Sequence, residues 1–211
     1  MKSMVRMKLF AAACIVVLTA TAASAVEGRP YVGISAGLFM PTDSSATDNY
    51  GSSADIEYNT GYSISGTGGY AFSNGLRLEG ELTYKQADMD KFKIYGFSSS
   101  INSDISALGF MANAYYDFKN TSPFTPYVGG GIGFATLYVS QAINNYGDLL
   151  WFDEDDTVFA YQLGAGVAFD VNKNMAIDLG YRYFGTSDPH FNTYEADFGS
   201  HNVSLGFRYK F

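Results

Sequence analysis

The sequence is poor in several residue types. One cysteine, one tryptophan, five prolines and two histidines are all that its 211 residues contain of them. A single thiol excludes a disulfide framework and a cysteine-built metal site. Positive charge is scarce: 13 Lys+Arg stand against 21 Asp+Glu, a formal net charge of −8. A chain without a basic footprint excludes nucleic acid as a partner. Long apolar runs are missing as well. Beyond the N-terminal stretch nothing reaches the ~18 consecutive apolar residues of a spanning helix, which excludes a helical membrane bundle. The 47% hydrophobic content is still too high for a disordered chain, and the length suits one domain.

Residues 1–25 carry the pattern of a secretory signal peptide. Lys2, Arg6 and Lys8 form a positive start, 9–20 an apolar stretch, and Ala23, Ser24 and Ala25 a small-residue cleavage site. Cys14 lies inside the apolar stretch and is read as part of the leader. The expected division is therefore 1–25 signal peptide and 26–211 a single barrel domain. Cleavage removes three positive charges and the cysteine, leaving 10 Lys+Arg against 21 Asp+Glu.

Glycine (23) and aromatics (17 Tyr, 17 Phe) are abundant, and the apolar ones recur with period two. In 31–40, Val32, Ile34, Ala36, Leu38 and Met40 share one face; Tyr31, Gly33, Ser35, Gly37 and Phe39 share the other. Strands alternate this way and helices do not. The pattern recurs in 58–72, 76–85, 104–118, 127–139, 157–169, 175–184 and 203–211. Asn74-Gly75 between the second and third segments is a hairpin signal. Short turns alternate with longer polar stretches at 41–57, 86–103, 140–156 and 185–200, as in a transmembrane β-barrel. A ten-stranded variant arises if 88–101 folds back as an added hairpin.

Alternation alone does not say which face is wet. A soluble barrel turns its apolar face inward, and a membrane barrel turns it to lipid. Three features favour the membrane form. The face opposite the apolar one is rich in small residues (Gly33, Gly37, Gly129, Gly131, Gly164, Gly166, Gly180), Tyr and Phe gather near strand ends, and the chain ends in Phe.

The closing Phe207-Arg208-Tyr209-Lys210-Phe211 resembles the membrane-insertion signal of Gram-negative outer-membrane proteins, carried by Phe207, Tyr209 and Phe211. With the leader, the eight segments and 126–133, the chain resembles the small outer-membrane β-barrels over about 29–211. That superfamily includes the OmpA transmembrane domain, OmpX, the opacity proteins and the "porin family" surface antigens. The resemblance implies an all-β, eight-stranded antiparallel transmembrane barrel in the cell outer membrane, with long loops extracellular and termini periplasmic. It implies the barrel-assembly machinery as a partner during insertion, outer-membrane lipid and lipopolysaccharide as surroundings, and a host or surface ligand for the long loops. No peptidoglycan-binding segment follows the barrel, so a tethering role is not expected.

Two constellations stand out. By parity, Arg77, Glu79, Glu81, Asp178, Arg182 and Arg208 point into the lumen. An eight-stranded barrel is barely wide enough for its own side chains, so these charges either pair and plug it or line a gated polar path. In the third long connection, Leu149, Leu150, Trp151 and Phe152 precede Asp153, Glu154, Asp155 and Asp156. The apolar four suit a binding surface or the membrane interface, and the acidic four suit a solvated loop or a divalent-cation contact. Gly66-Thr67-Gly68-Gly69-Tyr70-Ala71 matches a dinucleotide fingerprint but lacks the βαβ context. His190 and His201 are too few and too separated for a metal, and strand parity puts His201 and Ser204 on opposite faces. The expectation is a non-enzymatic barrel with a structural or surface-interaction, adhesin-like role and with no cofactor and no metal. A small channel for ions or polar solutes is the alternative, and a lipid A-modifying acyl hydrolase or acyltransferase a remote one. Mass spectrometry of the exported protein is expected to show a mature chain beginning at Val26.

Overall fold

A strand in hydrocarbon must give every backbone N–H and C=O a partner on another strand, and only closure leaves no edge. The computed structural model describes residues 27–42, 44–47, 53–94, 97–139, 154–187, 190–191, 194–195 and 199–211. The expected leader and Leu149, Leu150, Trp151, Phe152 and Asp153 lie outside them. Eight long strands form the wall: β1 Gly28–Pro41, β2 Gly61–Phe72, β3 Leu76–Ile94, β4 Phe97–Asp117, β5 Phe124–Val139, β6 Glu154–Asp170, β7 Met175–Thr186 and β8 Gly199–Lys210. Each pairs antiparallel with its neighbours in sequence. β8 returns to β1 with Tyr31 opposite Lys210 and Leu38 opposite Val203, closing the barrel.

The short turns form as the sequence suggests. Between β2 and β3, Gly75 adopts φ 94°, a conformation that suits glycine, and Asn74 Oδ1 accepts from the Leu76 amide at 3.0 Å.

The connection at 86–103 is not a polar loop, and 88–101 adds no ninth and tenth strand. It prolongs β3 and β4 as one paired hairpin up to Ile94 opposite Phe97. The pairing shifts register between Met89 and Lys91, which breaks the regular period there. Four short strands extend the same sheet. Ser53–Tyr58 pairs with the prolonged β3, Ser44–Thr47 pairs with Ser53–Tyr58, and Tyr194–Glu195 joins Thr47 and His190–Phe191. Most of the 41–57 stretch is thus also strand.

The side chains settle which face is wet. Outward-pointing Ile34 is 68% exposed and Leu163 63%, while inward Glu81 is 2% and Arg208 4%. The apolar surface is outside and the charges are inside, the reverse of a soluble barrel. Aromatic pairs sit near both ends of this belt. Tyr116–Phe118, Phe124–Phe169 and Tyr209–Phe211 lie at the short-turn end, and Tyr62–Tyr84 and Phe134–Phe159 at the other. Leu205→Arg, on the lipid face, is expected to lower unfolding stability by ~2–4 kcal/mol, read by urea titration in lipid vesicles.

Candidate functional site

The lumen is filled by matching bulk against absence of bulk. On β4, Met111, Asn113 and Tyr115 point inward, and their β5 neighbours are Gly133, Gly131 and Gly129. A Cβ at any of these glycines would collide with the side chain opposite. Gly164 makes room in the same way for Arg182, and Gly166 and Gly180 for the Tyr127 hydroxyl. The glycine-rich stretch is therefore the counterpart of the lumen's large side chains.

Those side chains form one connected polar network. Near the short turns, Arg77 meets Glu79 at 3.3 Å and Asp117 at 3.2 Å, with its guanidinium 4.5 Å from the Tyr115 ring centre and 5.0 Å from that of Tyr127. The Tyr31 hydroxyl donates to Glu79 at 2.6 Å. Arg208 grips Asp178 with two hydrogen bonds of 2.6 and 3.2 Å. At mid-height, Arg182 pairs with Glu81 at 2.6 Å, and the Gln162 and Asn113 amides donate to the other Glu81 oxygen at 3.0 and 2.8 Å. Asn113 also donates to Glu79 at 3.2 Å, joining the two clusters. Arg77, Lys85, Arg182 and Arg208 face Glu79, Glu81, Asp117 and Asp178, so charge balances four to four. The space left among these groups includes cavities of about 20 and 40 Å³, room for one to a few waters each.

Above this network the lumen turns apolar. Phe39, Met111, Leu137 and Phe184 are fully buried and pack with Ala87, Ile105, Ala107, Ala135, Val158 and Ala160. Lys85 lies at the boundary, its ammonium 3.6 Å from the Phe184 ring centre. The sequence marks the inward face as rich in small and charged residues and already places Phe39 on it; the apolar cap that Phe39 shares with Met111, Leu137 and Phe184 is an addition to that picture. Phe39, Met111, Leu137 and Phe184 have the same parity as the inward charges and glycines, and that parity was the available signal. Asn113 and Gln162, which tie the charges together, and Tyr115 and Tyr127, whose rings flank Arg77, carried no charge to mark them.

The six charges picked from parity all lie in the network. The loop set fares differently. Glu154, Asp155 and Asp156 belong to β6, paired with Val139, Tyr138 and Leu137, so they are strand residues and not the end of a loop. Tyr209 and Phe211 make an edge-to-face ring pair at 5.2 Å, and the Phe211 amide donates to Pro30 at 2.9 Å. His201 points outward and hydrogen-bonds the Tyr181 hydroxyl through Nδ1 at 2.7 Å, whereas Ser204 points inward, so the two form no catalytic pair. Residues 66–71 lie in β2, between antiparallel β1 and β3, with no helix to receive a phosphate. Among the described residues no cluster of three His, Cys, Asp or Glu is placed to hold a metal.

The sequence pattern of the outer membrane protein beta-barrel domain matches residues 10–211. Outer membrane protein PagN of Salmonella typhimurium is 29% identical over 131 residues, 53% of this chain and 53% of that protein. A Rickettsia conorii protein, RC1281, to which an adhesin role is ascribed by name, is 28% identical over 210 residues, 88% of this chain and 84% of that one. The chain spans about half the length of the first curated relatives it matches, PagN among them. Among solved structures, Neisserial surface protein A is 26% identical with a TM-score of 0.55, over 86% of this chain and 97% of that one.

Removing Glu81 strands Arg182 inside the barrel. Glu81→Ala is expected to cost ~3–5 kcal/mol in urea unfolding, and Glu81→Leu combined with Arg182→Met to recover most of that loss.

Proposed function

Because this chain belongs to the outer membrane protein beta-barrel domain family, we propose that it is a plugged, non-enzymatic barrel of the Gram-negative outer membrane. In this reading its work is done by the surface at its long-strand end. The observation that carries the reading is the double closure of the lumen. Three arginines paired with Glu79, Glu81, Asp117 and Asp178 fill the lower part, and Phe39, Met111, Leu137 and Phe184 fill the upper part. That cap weighs against a channel. The opposed faces of His201 and Ser204 weigh against a lipid A acyl hydrolase or acyltransferase.

The sequence distributes charge unevenly between the two ends. The stretches 42–60, 88–104, 140–156 and 187–198 hold fifteen of the 21 acidic residues and two of the 13 basic ones. The short-turn end instead carries Arg29, Lys119, Lys173 and Lys210. An acidic long-strand end facing the medium, with both termini in the periplasm, keeps the net charge on the solvated side. Residues 1–25 act as the cleaved leader, and Phe207, Tyr209 and Phe211 as the signal read by the barrel-assembly machinery. The partner is a host or surface ligand engaged by the prolonged β3–β4 hairpin and the long connections, residues 149–153 and the acidic start of β6 (Glu154 to Asp156) among them. The adhesin role ascribed to the Rickettsia relative supports that class of partner.

Single-channel recording tests the plug. Refolded protein is expected to leave a planar bilayer silent, whereas Phe39→Ala with Phe184→Ala is expected to produce conductance steps; steps from the unaltered protein would overturn the reading. Deleting 144–153, which stops short of the paired β6 residues, is expected to abolish attachment to a cell surface while leaving the slow, heat-sensitive gel migration of the folded barrel unchanged.

A further inference from the structure

The lumen charges balance as a whole and not in their parts. Toward the short turns, Arg77 and Arg208 face three carboxylates, Glu79, Asp117 and Asp178. From Glu81 upward, Arg182 and Lys85 have Glu81 alone, and Arg182 takes it at 2.6 Å. The other Glu81 oxygen is occupied by the Gln162 and Asn113 amides at 3.0 and 2.8 Å. The lower cluster is therefore one negative charge in excess and the upper one positive. Glu79 stands six residues before Lys85 on β3, about 20 Å along the strand. Among the described residues Lys85 makes no ion pair.

Lys85 is nonetheless only 4% exposed, with its ammonium 3.6 Å from the Phe184 ring centre. A ring face offsets part of the cost of dehydrating an ammonium but supplies no counter-charge. Lys85 also lines the enclosed cavity of about 20 Å³, together with Arg182, Glu81, Ser63, Ser65 and Asn202. Donors predominate there. Arg182 Nε has no acceptor. Ser35 and Ser65 share one hydrogen bond of 2.7 Å, so whichever hydroxyl accepts it keeps a hydrogen to donate again. Of the acceptors, Glu81 is engaged on both oxygens, and Asn202 Oδ1 has no donor. A water in the cavity would satisfy Arg182 Nε and Asn202 Oδ1 as dipoles, and it would leave the surplus charge uncancelled.

We propose that this cavity is a binding site for one chloride ion, held by the Lys85 ammonium, Arg182 Nε and the serine hydroxyls. Chloride accepts hydrogen bonds from every side and donates none, and its single charge cancels the surplus. The volume holds one body of about water's size, which excludes sulfate and phosphate. Ser63 and Ser65 come from β2, Lys85 from β3 and Arg182 from β7, so the ion ties together strands on opposite sides of the barrel. Its role is to fasten the folded lumen, since the apolar cap lies directly above it. The site does not involve the long connections and stands apart from the surface role proposed above.

The test follows urea unfolding of the mature protein in dimyristoylphosphatidylcholine vesicles while sodium chloride replaces sodium gluconate at constant ionic strength. One ion bound only to the folded chain lowers the unfolding equilibrium constant tenfold for each tenfold rise of chloride above its dissociation constant. That slope is the expected result, with bromide reproducing it and sulfate giving none. Lys85→Met, which removes the charge and keeps most of the bulk, is expected to abolish the slope. Ser63→Val, which fills the cavity, gives the same reading if Lys85→Met does not fold. Lys119→Met, at the short-turn rim, is expected to retain it. Crystals grown in bromide are expected to show an anomalous peak beside the Lys85 ammonium. Unfolding indifferent to chloride overturns the proposal, and a bromide peak seen alongside that result reports an adventitious ion only. A slope that survives in both Lys85→Met and Ser63→Val overturns it too, because the ion then binds at another place. So does a cavity that holds a water and shows no anomalous signal in bromide.

Discussion

Eight strands enclose so little volume that each inward side chain must be matched by what stands across from it. The lumen's composition follows from this constraint. Asn113 requires Gly131 on the next strand, Tyr115 requires Gly129, and Met111 requires Gly133. Charge obeys the same rule in electrostatic form. An unpaired ion in so tight and dry a space costs several kcal/mol, so Arg182 lies on Glu81 and Arg208 on Asp178. The glycines and the ion pairs are two answers to one shortage of room.

A one-residue slip between β4 and β5 would drive Asn113 and Tyr115 toward the lipid and bring alanines inward. The steric match and the hydrogen bonds linking Asn113, Gln162, Glu79 and Glu81 therefore oppose the same error. Buried ion pairs are weak contributors to stability compared with well-packed apolar residues. Their value in this barrel is that few other strand alignments bring Arg77, Arg182 and Arg208 into contact with Glu79, Glu81, Asp117 and Asp178.

Much of this was legible in the sequence because strand parity is binary. Once Leu78 and Leu82 are assigned to lipid, Arg77, Glu79 and Glu81 must face inward. Parity does not reveal which inward residues touch across the lumen. Gln162 and Glu81 are 81 positions apart and meet at 3.0 Å only because the sheet closes. Neutral Asn113 and Gln162, surrounded by alanine and glycine, gave no charge signal to follow. Phe184 was hidden for another reason, and Phe39, though on the inward face by parity, gave no sign of a cap: both faces of their strands are apolar near the long-strand end, so alternation there has no contrast. The prolonged hairpin was missed because the shift between Met89 and Lys91 breaks the period on which the reading relies.

That hairpin changes what the long-strand end of the molecule can do. From Gln86 to Ile94 the strand runs about 26 Å at the usual rise, and it stays paired to its return strand throughout and to Ser53–Tyr58 alongside. A free loop of the same length would surrender its many conformations each time it docked. A laminated strand ladder has already surrendered them during folding, so capture at its tip carries a smaller entropic penalty. In the proposed orientation the barrel is a foundation that holds a stiff strand ladder at a set height above the bilayer.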